Sequence, residues 1–324
     1  MTGWRPVIVV ASANGEVGMD AAWAILERGG SALDAVEAGV REVEDNAEDH
    51  TVGYGGYPNL LGEVELDASI MDGSTRAAGA VGALRGYRHA ISVARAVMER
   101  LPHVLVVGDG AARLASELGL AREELLTAKA RDTWRNGLDR SPSDAGGDGS
   151  LVERVQSVIG DIFDPELARQ ASGTHPAPGG TVNFLALDRE GHLASAVSTS
   201  GWAWKFPGRL GDSPLIGAGN YCDDRYGAAA CTGWGELTTR ACTARMVVAG
   251  LASGQTLPEA CGAALADLKG LEPGEPGGRG YVNLVAIDRS GRHLAASTKE
   301  GTEYVWRSDG MDRAERSPRS LVVA

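Results

Sequence analysis

Aromatic residues are scarce in this chain of 324 residues: three Phe, seven Tyr and seven Trp make up 5%. Positive charge is short as well. Thirty-one Lys and Arg face 43 Asp and Glu, a formal charge of −12, with no basic cluster. That disfavours nucleic acid and anionic membrane as partners. Cys222, Cys231, Cys242 and Cys261 show no Cys-x-x-Cys spacing, and the six histidines are scattered. Buried, reduced thiols are therefore expected rather than a zinc site. No apolar run approaches the ~18 residues of a membrane span. Gly-x-Gly pairs occur, yet none extends to Gly-x-Gly-x-x-Gly, and neither Gly-x-x-x-x-Gly-Lys nor Gly-x-Ser-x-Gly is present. Nucleotide binding and serine-hydrolase chemistry thus lack their usual motifs. Met1–Pro6 runs straight into Val7–Val10, too short an apolar stretch for a secretory signal. A cytoplasmic location is expected.

What the chain has in quantity is small and apolar. Forty-five glycines and a 43% apolar content imply a sizeable core, close backbone packing and many tight turns. The first half alternates strand and helix signals. Strand Val7–Ala11 precedes a helical stretch near Met19–Arg28. Ser31-Ala32-Leu33-Asp34 reads as a capping box for a second helix, Ala32 to about Glu44. Glu63–Met71 and His103–Val107 read as strands, Ile91–Glu99 and Ala111–Leu118 as helices. From about 136 to 180 the chain is polar and rich in Gly and Pro, a flexible linker with a short helix between Leu151 and Ile162. The second half opens with a hairpin, Val182–Leu187 and His192–Ser198, and repeats that pattern at Tyr281–Ile287 and His293–Ser297. Helices Leu237–Ala252 and Pro258–Lys269 lie between. Helices packed on sheets are expected.

The chemistry centres on Gly179-Gly180-Thr181-Val182-Asn183-Phe184, where linker meets strand. Cutting the Gly180–Thr181 bond would place a hydroxyl and a free α-amine on one residue, nucleophile beside base. A free α-amine has a pKa of roughly 7.7–8.0, so part of it is neutral near pH 7 and can take the hydroxyl proton. Taken alone, Thr181 reads more readily as a β-favouring residue that opens a strand; its neighbours carry the catalytic reading. Ser198-Thr199-Ser200-Gly201 closes the partner strand, where its hydroxyls would lie near Thr181. In Pro207-Gly208-Arg209-Leu210-Gly211-Asp212-Ser213-Pro214, Arg209 suits an α-carboxylate and Asp212 an α-ammonium. A surface ion pair in a turn is the plainer alternative. Thr232 and the Gly233 N–H, within Cys231-Thr232-Gly233-Trp234-Gly235-Glu236, suit an oxyanion hole, or are simply a tight turn.

These motifs, in this order, resemble the N-terminal-nucleophile asparaginase family of isoaspartyl peptidases, plant-type L-asparaginases and glycosylasparaginases. The resemblance covers nearly the whole chain. It also rests on Gly29–Glu37, Val52-Gly53-Tyr54-Gly55-Gly56, Leu66–Gly73 and Ala78-Gly79-Ala80-Val81. It implies an α+β fold, a four-layer αββα sandwich made as one domain of residues 1–324. It implies that this precursor cuts itself into 1–180 and 181–324. Carried over position by position, Thr181 is nucleophile and base and Thr199 supports its hydroxyl. Arg209 and Asp212 grip the aspartyl part, Thr232 and Gly233 form the oxyanion hole, and Gly235 lies in the same substrate loop. The implied reaction cleaves β-aspartyl amides, L-asparagine and isoaspartyl dipeptides, and releases L-aspartate. No cofactor is required, although some relatives hold a structural sodium ion in a region matching 45–56. A homodimer of αβ units is implied.

Departures bear on the leaving group. Glycosylasparaginases usually carry Asp before the nucleophile, where Gly180 stands here. Those of the lysosomal type also place an aromatic residue in the loop that here reads Ala11-Ser12-Ala13-Asn14-Gly15. Conversely, Val52–Pro58 and Asn220–Asp224 look closer to that branch. Trp202 and Trp204 either line the leaving-group side or pack. The balance favours asparaginase and isoaspartyl dipeptidase activity, with glycosylasparaginase as the alternative. A non-catalytic aspartate binder on the same fold is a further alternative.

Overall fold

Strict alternation in the hairpin produces two buried faces. In β5 (Val182–Leu187), Val182, Phe184 and Ala186 join one apolar cluster while Leu185 and Leu187 join another, as period-two side-chain geometry requires. Strand β6 (Leu193–Thr199) pairs antiparallel with β5, Val182 opposite Ser198 and Leu187 opposite Leu193. The turn is held by Asp188, whose carboxylate accepts from His192 N at 2.9 Å and from Ala32 N at 3.0 Å. The second bond ties the hairpin to the start of a helix far back in the sequence.

A computed structural model describes residues 6–139, 150–156, 180–271 and 280–322. The first-half strands are β1 (Ile8–Ser12), β2 (Leu66–Asp72), β3 (Ala78–Leu84) and β4 (Leu105–Val107). The later ones are β7 (Asn220–Asp223), β8 (Gly227–Gly233), β9 (Val282–Asp288), β10 (His293–Ser297), β11 (Glu303–Ser308), β12 (Glu315–Pro318) and β13 (Ser320–Leu321). They form an eight-stranded sheet, ordered β12-β11-β1-β5-β6-β2-β3-β4, and a five-stranded sheet, ordered β13-β10-β9-β8-β7. The fold is of mixed α and β type. The two hairpins that look alike in sequence belong to different sheets.

Helices α1 (Met19–Glu27), α2 (Ala32–Asp45), α3 (Ala90–Arg100) and α4 (Gly108–Glu117) cluster with the larger sheet. Ser31 caps α2 as expected, its Oγ accepting from Asp34 N at 3.1 Å. Glycine brings α2 close to β5: a Cβ at Gly39 would sit 2.6 Å from the Phe184 ring. Helix α5 (Ala128–Asp139) occupies the start of the stretch expected to be linker, and 151–156 is helical. The rest of that stretch, 140–149 and 157–179, lies outside the described residues.

Helices α6 (Gly235–Ala241), α7 (Thr243–Ala252) and α8 (Leu257–Ala266) follow β8. The single helix expected over Leu237–Ala252 is split by Cys242, which takes a left-handed φ of 52°. Residues of α6 to α8 share a core with alternate residues of β8 and β9. The other residues of those strands, Ala228, Ala230, Val285 and Ile287, pack with Ile8, Val10, Leu185 and Leu187 of the larger sheet. Among the described residues no helix is long and apolar enough to cross a membrane.

Candidate active site

Continuing the β5–β6 register one step beyond Val182 and Ser198 sets Thr181 opposite Thr199. Both are buried, Thr181 at 7% exposure. The Thr199 hydroxyl donates to the carbonyl oxygen of Gly180 at 2.6 Å and accepts from Gly201 N at 2.9 Å. Its other acceptor, Thr51 O, is farther off at 3.3 Å. The resemblance gave Thr199 the Thr181 hydroxyl as its partner. The bond in this structure goes instead to the peptide carbonyl just before it. A donor on that oxygen withdraws electrons from the carbonyl carbon and so favours attack there.

Gly180 is where no side chain fits, because a Cβ would overlap Thr51. Thr51 is fixed in turn: its backbone N–H donates to Asp49 Oδ1 at 3.0 Å. Asp49 Oδ2 accepts from Asn14 Nδ2 at 2.8 Å, and Asn14 Oδ1 accepts from Ser12 Oγ at 2.7 Å. Ser12 exchanges two hydrogen bonds with Asn183, of 2.9 and 3.1 Å. A polar chain thus runs from β5 through the end of β1 to the 46–57 loop and back to Gly180.

That loop closes on itself. Carbonyls of Asn46, Asp49, His50, Thr51, Gly53 and Gly55 all accept hydrogen bonds from protein donors. Each of these carbonyls keeps a second lone pair, and the sodium ion expected for 45–56 takes no part in the chemistry below. Behind Ser198 lies Glu44, fully buried. Its Oε1 accepts from Ser198 Oγ at 2.6 Å and Ile91 N at 3.0 Å. Burial pushes its pKa up to about 8, against the lowering effect of the Ser198 hydroxyl.

Arg209 and Asp212 come from the loop between β6 and β7. Arg209 stacks over the Trp202 ring at 4.4 Å. Its Nε and Nη2 donate to Glu236 Oε1 at 2.9 and 2.7 Å. One edge of the fork is therefore taken by a carboxylate of α6. The remaining Nη1 lies between two glycines, where a Cβ on Gly211 or Gly201 would approach to 3.1 or 3.4 Å. Asp212 is buried; its Oδ2 accepts from Thr238 Oγ1 at 2.7 Å, and a Cβ on Gly235 would crowd Oδ1 at 2.8 Å. Burial raises the Asp212 pKa to about 6, with Thr238 and Arg209 pulling the other way. Glycine at 201, 211 and 235 thus leaves Nη1 and Oδ1 approachable on a small cavity that Gly180, Thr181 and Thr199 also line.

The Arg209 loop has a foundation in the interior. Both carboxylate oxygens of Glu65 accept from Gly208 N at 3.1 Å. Lys205, 1% exposed, donates to the Glu65 carbonyl at 3.1 Å, and burial lowers the pKa of its ammonium. Trp204 is a packing residue, fully buried against Leu60 with its indole N–H on Trp134 O at 3.1 Å. Trp202 lines the small cavity.

Thr232 and Gly233 end β8. Thr232 Oγ1 accepts from Asn283 Nδ2 at 3.3 Å, which leaves the hydroxyl proton free to be donated elsewhere. Gly233 has a φ of 109°, and a Cβ there would overlap the Tyr281 carbonyl. A second cavity of about 600 Å³ is lined by Gly180, Thr181, Thr232 and Gly233. Every residue singled out from the sequence, Gly180, Thr181, Thr199, Arg209, Asp212, Thr232, Gly233 and Gly235, lines one or both cavities. A larger groove of about 1000 Å³ over 62–64, 85–87 and 108–125 contains none of them. Glu236, Glu65, Lys205, Asp49, Thr51 and Asn283 were not expected from the sequence.

A family model described as "Asparaginase" matches residues 13–313. The chain is 36% identical over 296 residues to an "N(4)-(Beta-N-acetylglucosaminyl)-L-asparaginase" of Elizabethkingia miricola, covering 91% of this chain and 79% of that one. It is 34% identical over 305 residues to an "Isoaspartyl peptidase/L-asparaginase" of Rattus norvegicus, covering 92% and 81%. The corresponding protein of Mus musculus is 35% identical over 305 residues, covering 92% and 83%.

Proposed function

Because the chain belongs to the asparaginase family and is a hydrolase of amide bonds, we propose that it cuts its own Gly180–Thr181 bond and then hydrolyses β-aspartyl amides. Its substrates on this reading are L-asparagine and isoaspartyl dipeptides, and its product is L-aspartate. The observation that carries the reading is the Thr199 hydroxyl on the Gly180 carbonyl. The packing clusters on both faces of both sheets support a four-layer αββα arrangement for the whole chain.

In maturation, the Thr181 hydroxyl oxygen attacks the Gly180 carbonyl carbon. The C–N bond breaks, an ester forms, and the hydroxyl proton ends on the departing nitrogen. Thr199 holds the charge that develops on the carbonyl oxygen. Water then hydrolyses the ester and leaves Thr181 with a free α-amine. In turnover that amine accepts the proton as the hydroxyl attacks the substrate's β-carbonyl. Arg209 and Asp212 hold the aspartyl carboxylate and ammonium. Thr232 and Gly233 donate to the oxyanion. The amine leaves with a proton, and water releases aspartate. Gly180 at the cut site and the lack of an aromatic residue in 11–15 favour small amide and dipeptide substrates over the sugar-linked one.

The test supplies the purified, matured protein with L-asparagine, a β-aspartyl dipeptide and N4-(N-acetylglucosaminyl)-asparagine, and measures aspartate. Release from the first two at higher kcat/KM than from the third supports the reading. Release from the glycosylasparagine alone transfers the chain to the other specificity.

A further inference from the structure

The 600 Å³ cavity beside Thr181 is the space a leaving group would enter, and its charges are nearly all spoken for. Glu16 and Glu303 both pair with Arg316, and Glu48 pairs with Lys129 at 2.7 Å. Asp49 accepts from Asn14 and Thr51. The exception is Arg319. Among the described residues it has no carboxylate partner. Its Nε donates to the Glu303 carbonyl at 3.0 Å and its Nη1 to the Leu284 carbonyl at 2.8 Å, while Nη2 meets no acceptor among the described residues. Those two bonds fix the guanidinium at the start of β9. The residue before Leu284, Asn283, pairs in register with Thr232 and donates to its hydroxyl. A half-buried cation thus lines the same cavity as Thr232 and Gly233, the expected oxyanion residues. Burial lowers its pKa to about 10, so it is charged at neutral pH. An unpaired, partly desolvated guanidinium with a free N–H edge is suited to a carboxylate.

We infer that Arg319 binds the α-carboxylate of the residue that leaves, so that the preferred substrates are isoaspartyl dipeptides with a free C-terminal carboxylate. The inference rests on the reading of the chain as a β-aspartyl hydrolase. L-Asparagine, whose leaving group is ammonia, has nothing for Arg319 to hold. A glycosylamine brings hydroxyls but no charge. Arg319 contacts no reacting atom; its effect is on which leaving group is seated.

The test compares kcat/KM of the matured enzyme for β-aspartyl-leucine, the same dipeptide with a C-terminal carboxamide, and L-asparagine, in the native chain and in Arg319→Gln. In the native chain the free acid should exceed the carboxamide by roughly tenfold or more, the usual scale for hydrogen bonds to a charged group. Arg319→Gln should bring the acid down to the carboxamide, chiefly through KM, and leave asparagine unchanged. Equal rates for acid and carboxamide in the native chain, a comparison that needs no variant, overturn the inference, as does an equal loss on all three substrates in Arg319→Gln. Aspartate release from none of the three overturns the functional reading and this inference with it.

Discussion

The Thr199 hydroxyl and the Gly180 carbonyl oxygen, 2.6 Å apart, join the end of one strand to the peptide bond that precedes the next. Removing that donor should slow self-cleavage by roughly 10²- to 10³-fold, the range for losing one oxyanion donor. Thr199→Val keeps the shape and loses the hydrogen bond; Thr199→Ser keeps both the hydroxyl and most of the rate. The appearance of the two fragments over time measures this. Equal rates for Val and Ser would leave Thr199 a packing role only.

Arg209 is held on one edge by Glu236 and on one face by Trp202. Lysine supplies a point charge that can neither stack nor share two carboxylates in this way. Arg209→Lys should lower kcat/KM for L-asparagine about 10- to 100-fold, consistent with hydrogen bonds to charged groups, with most of the loss in KM. Steady-state kinetics decide it.

Asp212 must be ionised to hold an ammonium group. Its raised pKa, about 6, places the loss of that charge in the weakly acidic range. The kcat/KM profile should therefore fall as pH drops through about 6, where an ordinary aspartate would act only near 3.8. Asp212→Asn should abolish the aspartyl grip at every pH while self-cleavage, which uses no ammonium, continues.

Glu44 gives a stability test away from the chemistry. Its folded pKa, about 8, lies above the ordinary 4.5, so between those values the folded state binds more protons than the unfolded one. Its contribution is fully present below about 4.5 and is lost as pH rises toward 8. Glu44→Gln keeps an acceptor for Ser198 and Ile91 and cannot ionise. The variant should lose less stability than the native chain on raising the pH from 5 to 8, about the interval set by the two pKa values. Urea unfolding at several pH values reads the difference.

The sequence made the hairpin at Thr181 legible because β5 alternates cleanly and Asp188-Arg189-Glu190-Gly191 is a strong turn. Register then carries Thr199 to its place without further information. Arg209 and Asp212 could be picked out by residue type and spacing in one loop. Their supports could not. Glu65 and Gly208 lie 143 positions apart, and Glu44 and Ser198 lie 154 apart. No local periodicity records such contacts. Strand β8 was hidden for another reason: Gly227-Ala228-Ala229-Ala230-Cys231-Thr232-Gly233 is buried on both faces and nearly all small, so it shows neither alternation nor β-branched bulk. Helix α5 is mostly polar, and its last residues, from about 136, fell within the stretch expected to be linker. The break at Cys242 has no Gly or Pro to announce it.

The central claim is that Thr181 becomes a free N-terminus and acts as the nucleophile. Intact mass and N-terminal sequencing of the purified protein after prolonged incubation, beside Thr181→Ala, test it most directly. The native chain should give two fragments, the smaller beginning Thr181-Val182-Asn183, and Thr181→Ala one uncut, folded, inactive chain. A native chain that stays whole while hydrolysing asparagine, or a variant still cut at that bond, would contradict it.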